Sequence, residues 1–135
     1  MEAGGLPEYV EAAYALRAPI AAGSWGIVGD GIVAGNGALY ADVLFEARWR
    51  RQGTSDGSSD KVLASVRHTF NRDINHPFSA VPFSTRVPGI AADAAPGDSL
   101  IFRITVLGGD TGAFFIPNGD GKQTGGSIPR LDLPQ

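Results

Sequence analysis

The chain has no cysteine and no long hydrophobic run, and each absence excludes a class of protein. Without cysteine it can form no disulfides, no thiolate metal sites and no cysteine nucleophile, although its compartment stays open. No apolar run reaches the ~20 residues that span a bilayer, so we expect no membrane insertion. Residues 1–5 lack the basic region that begins a signal peptide, and no long apolar segment follows, so we expect no signal peptide.

Positive charge is also scarce. The chain carries 11 Lys and Arg residues against 14 Asp and Glu residues, which gives a net charge of -3. Nucleic-acid binding relies on a basic surface that holds phosphates, so this balance argues against a nucleic-acid partner. The one basic cluster, formed by Arg48, Arg50 and Arg51, is expected to lie in solvent at the end of a strand.

Glycine and apolar residues, by contrast, are abundant. Hydrophobic residues form 43% of the 135 residues and charged residues 19%, which is the balance of a folded globular protein. A chain of this length fits one domain that can bury a core without cross-links. The 19 glycines and 9 prolines follow no collagen repeat and indicate many turns, as in sandwiches and barrels.

Alternation of apolar and polar residues is the strongest pattern in the sequence. It extends over residues 39–50, 62–71 and 99–107, and a period of two over such lengths predicts strands with one buried face. The polar loop over 52–60 predicts that the first two strands form an antiparallel hairpin, with some irregularity at the loop. The positions predicted to be buried are Leu39, Ala41, Val43, Phe45, Ala47, Trp49, Val62, Ala64, Val66, His68, Phe70, Leu100, Phe102, Ile104 and Val106.

Shorter segments complete the predicted fold. Shorter extended segments are expected over 25–28, 32–34, 78–87, 113–117 and 128–134. In the segment 78–87, Pro82 favours an edge strand or a bulge. Residues 6–18 fit both a helix and a strand, and both alternatives stay open. We therefore predict an all-β chain, an antiparallel sandwich or barrel of six to eight strands with at most one short N-terminal helix. Its parts are an arm over 1–18 and one β-sandwich domain over 19–135.

One turn resembles a known architecture. The run from Pro96-Gly97-Asp98 into the alternating residues 99–104 resembles the start of a strand in jelly-roll modules. Such modules include the heads of tumour-necrosis-factor-like and complement-type trimers and many carbohydrate-binding modules. The resemblance covers under a tenth of the chain. It implies a jelly roll as the form of the sandwich and a trimer as the form of any oligomer, and it carries over no functional residue.

No catalytic constellation stands out in the sequence. It contains neither a Gly-x-Ser-x-Gly elbow nor a phosphate-binding glycine loop. General acid–base chemistry in a small hydrolase or lyase would have to use His68 or His76 with Asp73. His68 lies on the apolar face of its predicted strand, which favours a structural role. We therefore expect that the protein is not an enzyme.

Two kinds of binding site are conceivable in the loops and on the strand faces. Calcium prefers several oxygen ligands, and Asp56, Ser58 and Asp60 alternate in one loop. A second candidate calcium site consists of Asp110, Asn118 and Asp120. Both loops are also ordinary turn sequences, and Lys122 would oppose a cation, so the turn interpretation is favoured. A glycan would need an exposed aromatic ring, and the candidate ligand-binding residues are Tyr40, Phe114 and Phe115.

Apolar residues on the predicted outer faces indicate a covering partner. These residues are Leu44, Leu63, Ile101 and Leu107. The favoured hypothesis is a non-catalytic β-sandwich module for binding or self-assembly as a homo-oligomer, with a trimer as one form. The alternative is a lectin-like carbohydrate-binding module assisted by calcium, and the second alternative is a small hydrolase or lyase.

Overall fold

The chain is all β in the parts that the computed structural model describes, which are residues 8–34, 40–54, 57–71, 82–109, 113–115 and 130–134. Within those ranges there is no helix, and therefore none that could cross a bilayer. The nine strands are β1 (Glu8–Ala15), β2 (Gly23–Val28), β3 (Ile32–Ala34), β4 (Tyr40–Arg50), β5 (Lys61–Asn71), β6 (Ser84–Gly89), β7 (Ser99–Gly109), β8 (Ala113–Phe115) and β9 (Arg130–Asp132). Residues 6–18, for which the sequence fitted both a helix and a strand, therefore contain the strand β1.

The strands form an antiparallel β-sandwich, as predicted. One sheet has four strands in the order β1-β7-β4-β5, and the other has three in the order β6-β2-β9. A separate pair joins β3 to β8. β4 and β5 are the predicted hairpin, and β6 is an edge strand, as Pro82 predicted. The jelly-roll arrangement stays a prediction.

The core lies between the two sheets and consists of two adjoining clusters. One surrounds Phe45, which stacks on Phe83 with ring centroids 5.2 Å apart. The other surrounds the indoles of Trp25 and Trp49. All four residues predicted to be buried in β7 are buried. Alternation therefore predicted the buried face of this central strand correctly.

The predicted alternation fails near the start of β5. The pairing of β4 with β5 shifts between Ala47 and Arg48, so Leu63 is an extra residue in its strand. Such a bulge reverses which side chains face inward. Val62, predicted to be buried, is 38% exposed, whereas Leu63, predicted to face outward, is 3% exposed. The predicted irregularity at the hairpin loop is therefore a bulge in the ladder beside it.

The predicted apolar outer face is largely covered by the chain itself. Leu63 belongs to the core through the bulge, and Ile101 is fully buried although it lies opposite the predicted inner face. Leu44 and Leu107 are half-buried. The prediction that these residues expose an apolar surface to a partner is therefore wrong for Leu63 and Ile101.

Candidate functional site

The most exposed apolar strand in the described structure is β1. It pairs with β7 along its whole length, and no strand in the described ranges pairs with its other edge. Every residue from Tyr9 to Ala15 is exposed, although the side chain of Glu11 is only 23% exposed. Three of them are large: Tyr9 is 50% exposed, Val10 41% and Tyr14 52%. An edge strand with these properties is a template for pairing with another strand.

The backbone of β1 divides its hydrogen-bonding groups between two sides. The Leu16 amide donates to the Asp98 carbonyl at 2.9 Å, in register with the pairing of Ala15 opposite Ser99. In an antiparallel ladder the residues that exchange hydrogen bonds with one neighbour alternate with those that point away. The even-numbered residues of β1 therefore face β7. The groups that point to the free edge are those of Tyr9, Glu11, Ala13 and Ala15.

The outer face of β1 is held to the sheet by ion pairs. The Glu11 carboxylate lies 2.7 Å from Arg103 Nη2 and 2.8 Å from Arg50 Nη1. The Arg103 guanidinium also lies over the Tyr9 ring, 4.0 Å from its centroid. Burial opposes the charge of Glu11, yet the hydrogen bonds from Arg50 and Arg103 outweigh it and lower the pKa of this carboxyl. These contacts fix β1 in the sheet from one face, and no strand of the described part pairs with its other edge.

The same network continues into the loop after β4. Asp60, whose side chain is fully buried, accepts from Arg50 Nη2 at 2.8 Å and from Arg48 Nε at 2.9 Å. Arg48 also pairs with Glu46 at 3.0 Å. Burial would raise the pKa of Asp60, but the hydrogen bonds from the two arginines hold it below its ordinary value. The expectation that the basic cluster is solvated is therefore wrong for Arg48 and Arg50, because the loop folds back over them, whereas Arg51 is exposed as expected.

An apolar groove lies between the β1 end of one sheet and β9 of the other. It encloses about 410 Å³. Its large apolar lining residues are Tyr14, Leu16, Leu100, Leu131 and Leu133. Tyr14 is shared by the groove and the exposed strand, so the two features form one continuous surface. We call this surface, which consists of β1 and the five lining residues, the open side of the sandwich.

A second depression lies at the C-terminal end of β4. It is lined by Trp49, Arg51, Ser59 and Lys61 and encloses about 350 Å³. The Arg51 guanidinium lies 4.9 Å from the centroid of the Trp49 ring. Trp49 Nε1 donates to Asp98 at 2.9 Å, and backbone hydrogen bonds from Ala95 and Gln52 together with this contact lower the pKa of Asp98. The predicted Pro96-Gly97-Asp98 turn therefore anchors this end of the core.

His68 packs among aromatic rings. It stacks on Phe83 with centroids 4.1 Å apart and meets the edge of Phe70 at 4.6 Å. Burial lowers the pKa of the imidazole, which favours the neutral form. His76 and Asp73, its predicted catalytic companions, lie outside the described residues.

The candidate binding residues are only partly described. Tyr40 is exposed at the start of β4. Phe114 and Phe115 lie in β8, opposite Val33 and Ile32, and their side chains lie outside the described part. The candidate metal ligands Asp110, Asn118 and Asp120 also lie outside it. Among the described residues there is no group of three potential metal-binding side chains. Asp60 of the other proposed calcium loop is engaged by two arginines.

The sequence analysis did not single out the open side. Its signal was present, because Val10, Ala12, Tyr14 and Leu16 alternate as a strand does. The same residues also fit a helix, so the sequence alone did not identify an edge strand here. The strand pairing defines the class of this protein as an antiparallel β-sandwich. No family model, curated protein or solved structure matches the chain.

Proposed function

We propose that this protein is a non-catalytic β-sandwich module that assembles with copies of itself through the free edge of β1. The observation that carries the proposal is the exposure of an eight-residue edge strand on both of its faces, with Tyr9, Val10 and Tyr14 each at least two-fifths exposed. Strand addition to such an edge gains main-chain hydrogen bonds and covers the apolar side chains.

The composition of β1 supports this proposal. Proteins that keep an edge strand monomeric protect it with charged side chains, above all lysine, or with proline, a bulge or a covering segment. β1 has the sequence EYVEAAYA, without lysine or proline, and its register with β7 is unbroken. The Glu11 carboxylate, which could repel a second copy, is instead engaged by Arg103 and Arg50.

A twofold dimer is the assembly that we propose. Two identical strands that pair antiparallel at their edges are related by a twofold axis, which closes the assembly at two copies. The jelly-roll resemblance instead implies a trimer, in which each copy would use two different surfaces. The proposed dimer has twice the 14.0 kDa mass of the chain.

A proline substitution tests this proposal selectively. Because Ala13 directs its amide to the free edge, Ala13→Pro removes one donor from that edge and keeps the ladder to β7. Proline is tolerated in an edge strand when its missing amide would face solvent. Sedimentation velocity of the full chain over a concentration series should show a dimer for the wild type and a monomer for Ala13→Pro.

The matched control is Ala13→Ser, which keeps the amide. It should dimerise like the wild type, because only the side chain changes. A wild-type chain that stays monomeric at the highest soluble concentration overturns the proposal. So does an Ala13→Pro variant that is folded by circular dichroism and dimerises as well as the wild type.

Carbohydrate binding is the second candidate function. Its support is the depression beside Trp49, where two cationic side chains and a hydroxyl converge at the edge of an indole that is 7% exposed. Sugar sites combine an aromatic surface with a few convergent polar groups. A glycan array should then show binding by the wild type and loss of binding by Arg51→Ala. A thermal melt with and without Ca²⁺ tests the proposed calcium assistance, and an array without binding removes this candidate.

A further inference from the structure

We infer that two copies of this chain pair through β1 in one register, with the twofold axis at Ala12. This inference rests on the proposed self-assembly and specifies its geometry. In this register Ala12 faces Ala12 of the other copy, Val10 faces Tyr14, and Glu11 faces Ala13. The partner is a second copy of the same chain, and the paired strands join the two four-stranded sheets into one sheet of eight strands.

The backbone of β1 selects this register. The residues that point to the free edge are Tyr9, Glu11, Ala13 and Ala15, and Ala12 lies at their midpoint. An axis at Ala12 places Tyr9 opposite Ala15 and Glu11 opposite Ala13, so that all four residues of each copy exchange hydrogen bonds. An axis at Glu11 would require a partner for Ala15 at position 7, before the start of β1, where the sequence has a proline without an amide to donate. An axis at Ala13 places Tyr9 opposite Arg17, beyond the end of β1.

The exposed side chains agree with the backbone. Val10 and Tyr14 lie on the same face of β1 and at equal distances from Ala12. An axis at Ala12 therefore brings Val10 of each copy directly opposite Tyr14 of the other, and such aromatic–β-branched pairs stabilise sheets. Because Tyr14 lines the apolar groove, each Val10 would also cover part of the groove in the other copy.

Repulsion between carboxylates disfavours the alternative register whose axis lies at Glu11. An axis at Glu11 places the two Glu11 carboxylates directly opposite each other, and like charges in that position are destabilising. An axis at Ala12 places each carboxylate opposite an Ala13 methyl group instead. Each carboxylate also keeps its contacts with Arg103 and Arg50, since these lie on its own sheet.

The absence of cysteine allows a direct test by cross-linking, because a single introduced thiol has no competitor in the chain. An axis at Ala12 makes residue 12 a non-hydrogen-bonded pair with itself, whose Cα atoms lie about 4.5 Å apart. That separation suits a disulfide. Residue 13 and its copy are diagonal neighbours about 7–8 Å apart, which is too far for an unstrained bridge.

Ala12→Cys should therefore form a covalent dimer rapidly under mild oxidation, and Ala13→Cys should form one at least tenfold more slowly. Non-reducing gel electrophoresis measures both rates, and both variants are small enough to keep the native fold. As a second test, an equimolar mixture of Val10→Cys and Tyr14→Cys should cross-link mainly between the two variants, because residue 10 faces residue 14. Each variant alone should react slowly.

The possible results separate the register from the assembly itself. Cross-linking that is as fast at residue 13 as at residue 12 overturns the register. Slow reaction at both positions, in a protein that sedimentation shows to be dimeric, overturns the register but leaves the self-assembly proposal intact. A monomeric wild type overturns both. Faster cross-linking at residue 12 than at residue 13, together with cross-linking mainly between the Val10→Cys and Tyr14→Cys variants in their mixture, supports the register and the self-assembly.

Discussion

Glu11 and Arg103 form an ion pair across the outer face of β1 and β7, with 2.7 Å between Oε1 and Nη2. The same carboxylate reaches Arg50 of β4 at 2.8 Å. Glu11 thus connects three neighbouring strands on one face of the sheet. This explains how a strand whose side chains are exposed keeps its place, because it is held from its outer face and by the ladder to β7.

Glu11→Ala should loosen β1 without unfolding the sandwich. The two arginines lose a shared partner, and since the pairs are partly exposed we expect a loss of about 1 kcal/mol in the free energy of unfolding. Amide exchange should become faster in residues 8–15 than elsewhere. Urea denaturation and hydrogen exchange measure the two effects. Asp93→Asn, a change of an exposed carboxylate, is the control and should leave both unchanged.

Asp60→Asn should destabilise the protein more than Glu11→Ala does. The buried carboxylate pairs with both Arg48 and Arg50. Its loss leaves each guanidinium group beneath the loop with one carboxylate partner, Glu46 or Glu11, and with unmatched donors. We expect a loss of about 2 kcal/mol, which is less than a deeply buried pair loses, because the arginines keep some contact with water. Urea denaturation measures it. Equal stability of the variant and the wild type would show that the network is not a stabilising feature.

Acidification should weaken the protein through His68. The folded-state pKa of this imidazole is lowered by burial from the ordinary 6.5. The unfolded chain therefore takes up a proton first as the pH falls below 6.5, and stability declines from there until the folded-state pKa is passed. The urea midpoint of the wild type should therefore fall as the pH is lowered through and below about 6.5. His68→Phe keeps the aromatic stack on Phe83 without titrating, and its midpoint should change less over this range.

Gly89→Ala tests the packing of the second core cluster. A methyl group at residue 89 would overlap the Trp25 indole, which is fully buried, and would lie 3.0 Å from the Leu63 carbonyl oxygen. Overpacking of this kind costs about 1–3 kcal/mol. Gly108→Ala is the matched control, because a methyl group there meets no atom within 4 Å. Thermal melts should show a lower midpoint for the first variant only.

The long strands could be predicted because their information is local. Alternation over residues 99–107 alone identifies the inner face of β7. The reversal at Val62 and Leu63 could not be predicted, because a bulge depends on the pairing with β4. The burial of Arg50 was missed for a similar reason. It depends in part on a contact with Glu11, which lies 39 residues away in sequence on another strand.

The edge strand shows a different limit of sequence analysis. Residues 6–18 satisfy both helical and strand spacing, and only the pairing with β7 selects the strand. The exposure of Tyr9, Val10 and Tyr14 follows from the order of strands in the sheet, which places β1 at the end. The order of the strands in a sheet cannot be predicted from a local pattern of residues.

The most direct test of self-assembly through β1 is sedimentation velocity of the wild type beside Ala13→Pro and Ala13→Ser. The account predicts a concentration-dependent dimer for the wild type and for Ala13→Ser, and a folded monomer for Ala13→Pro. A wild type that sediments as a monomer at every concentration would contradict it, and so would dimerisation that the proline leaves unchanged.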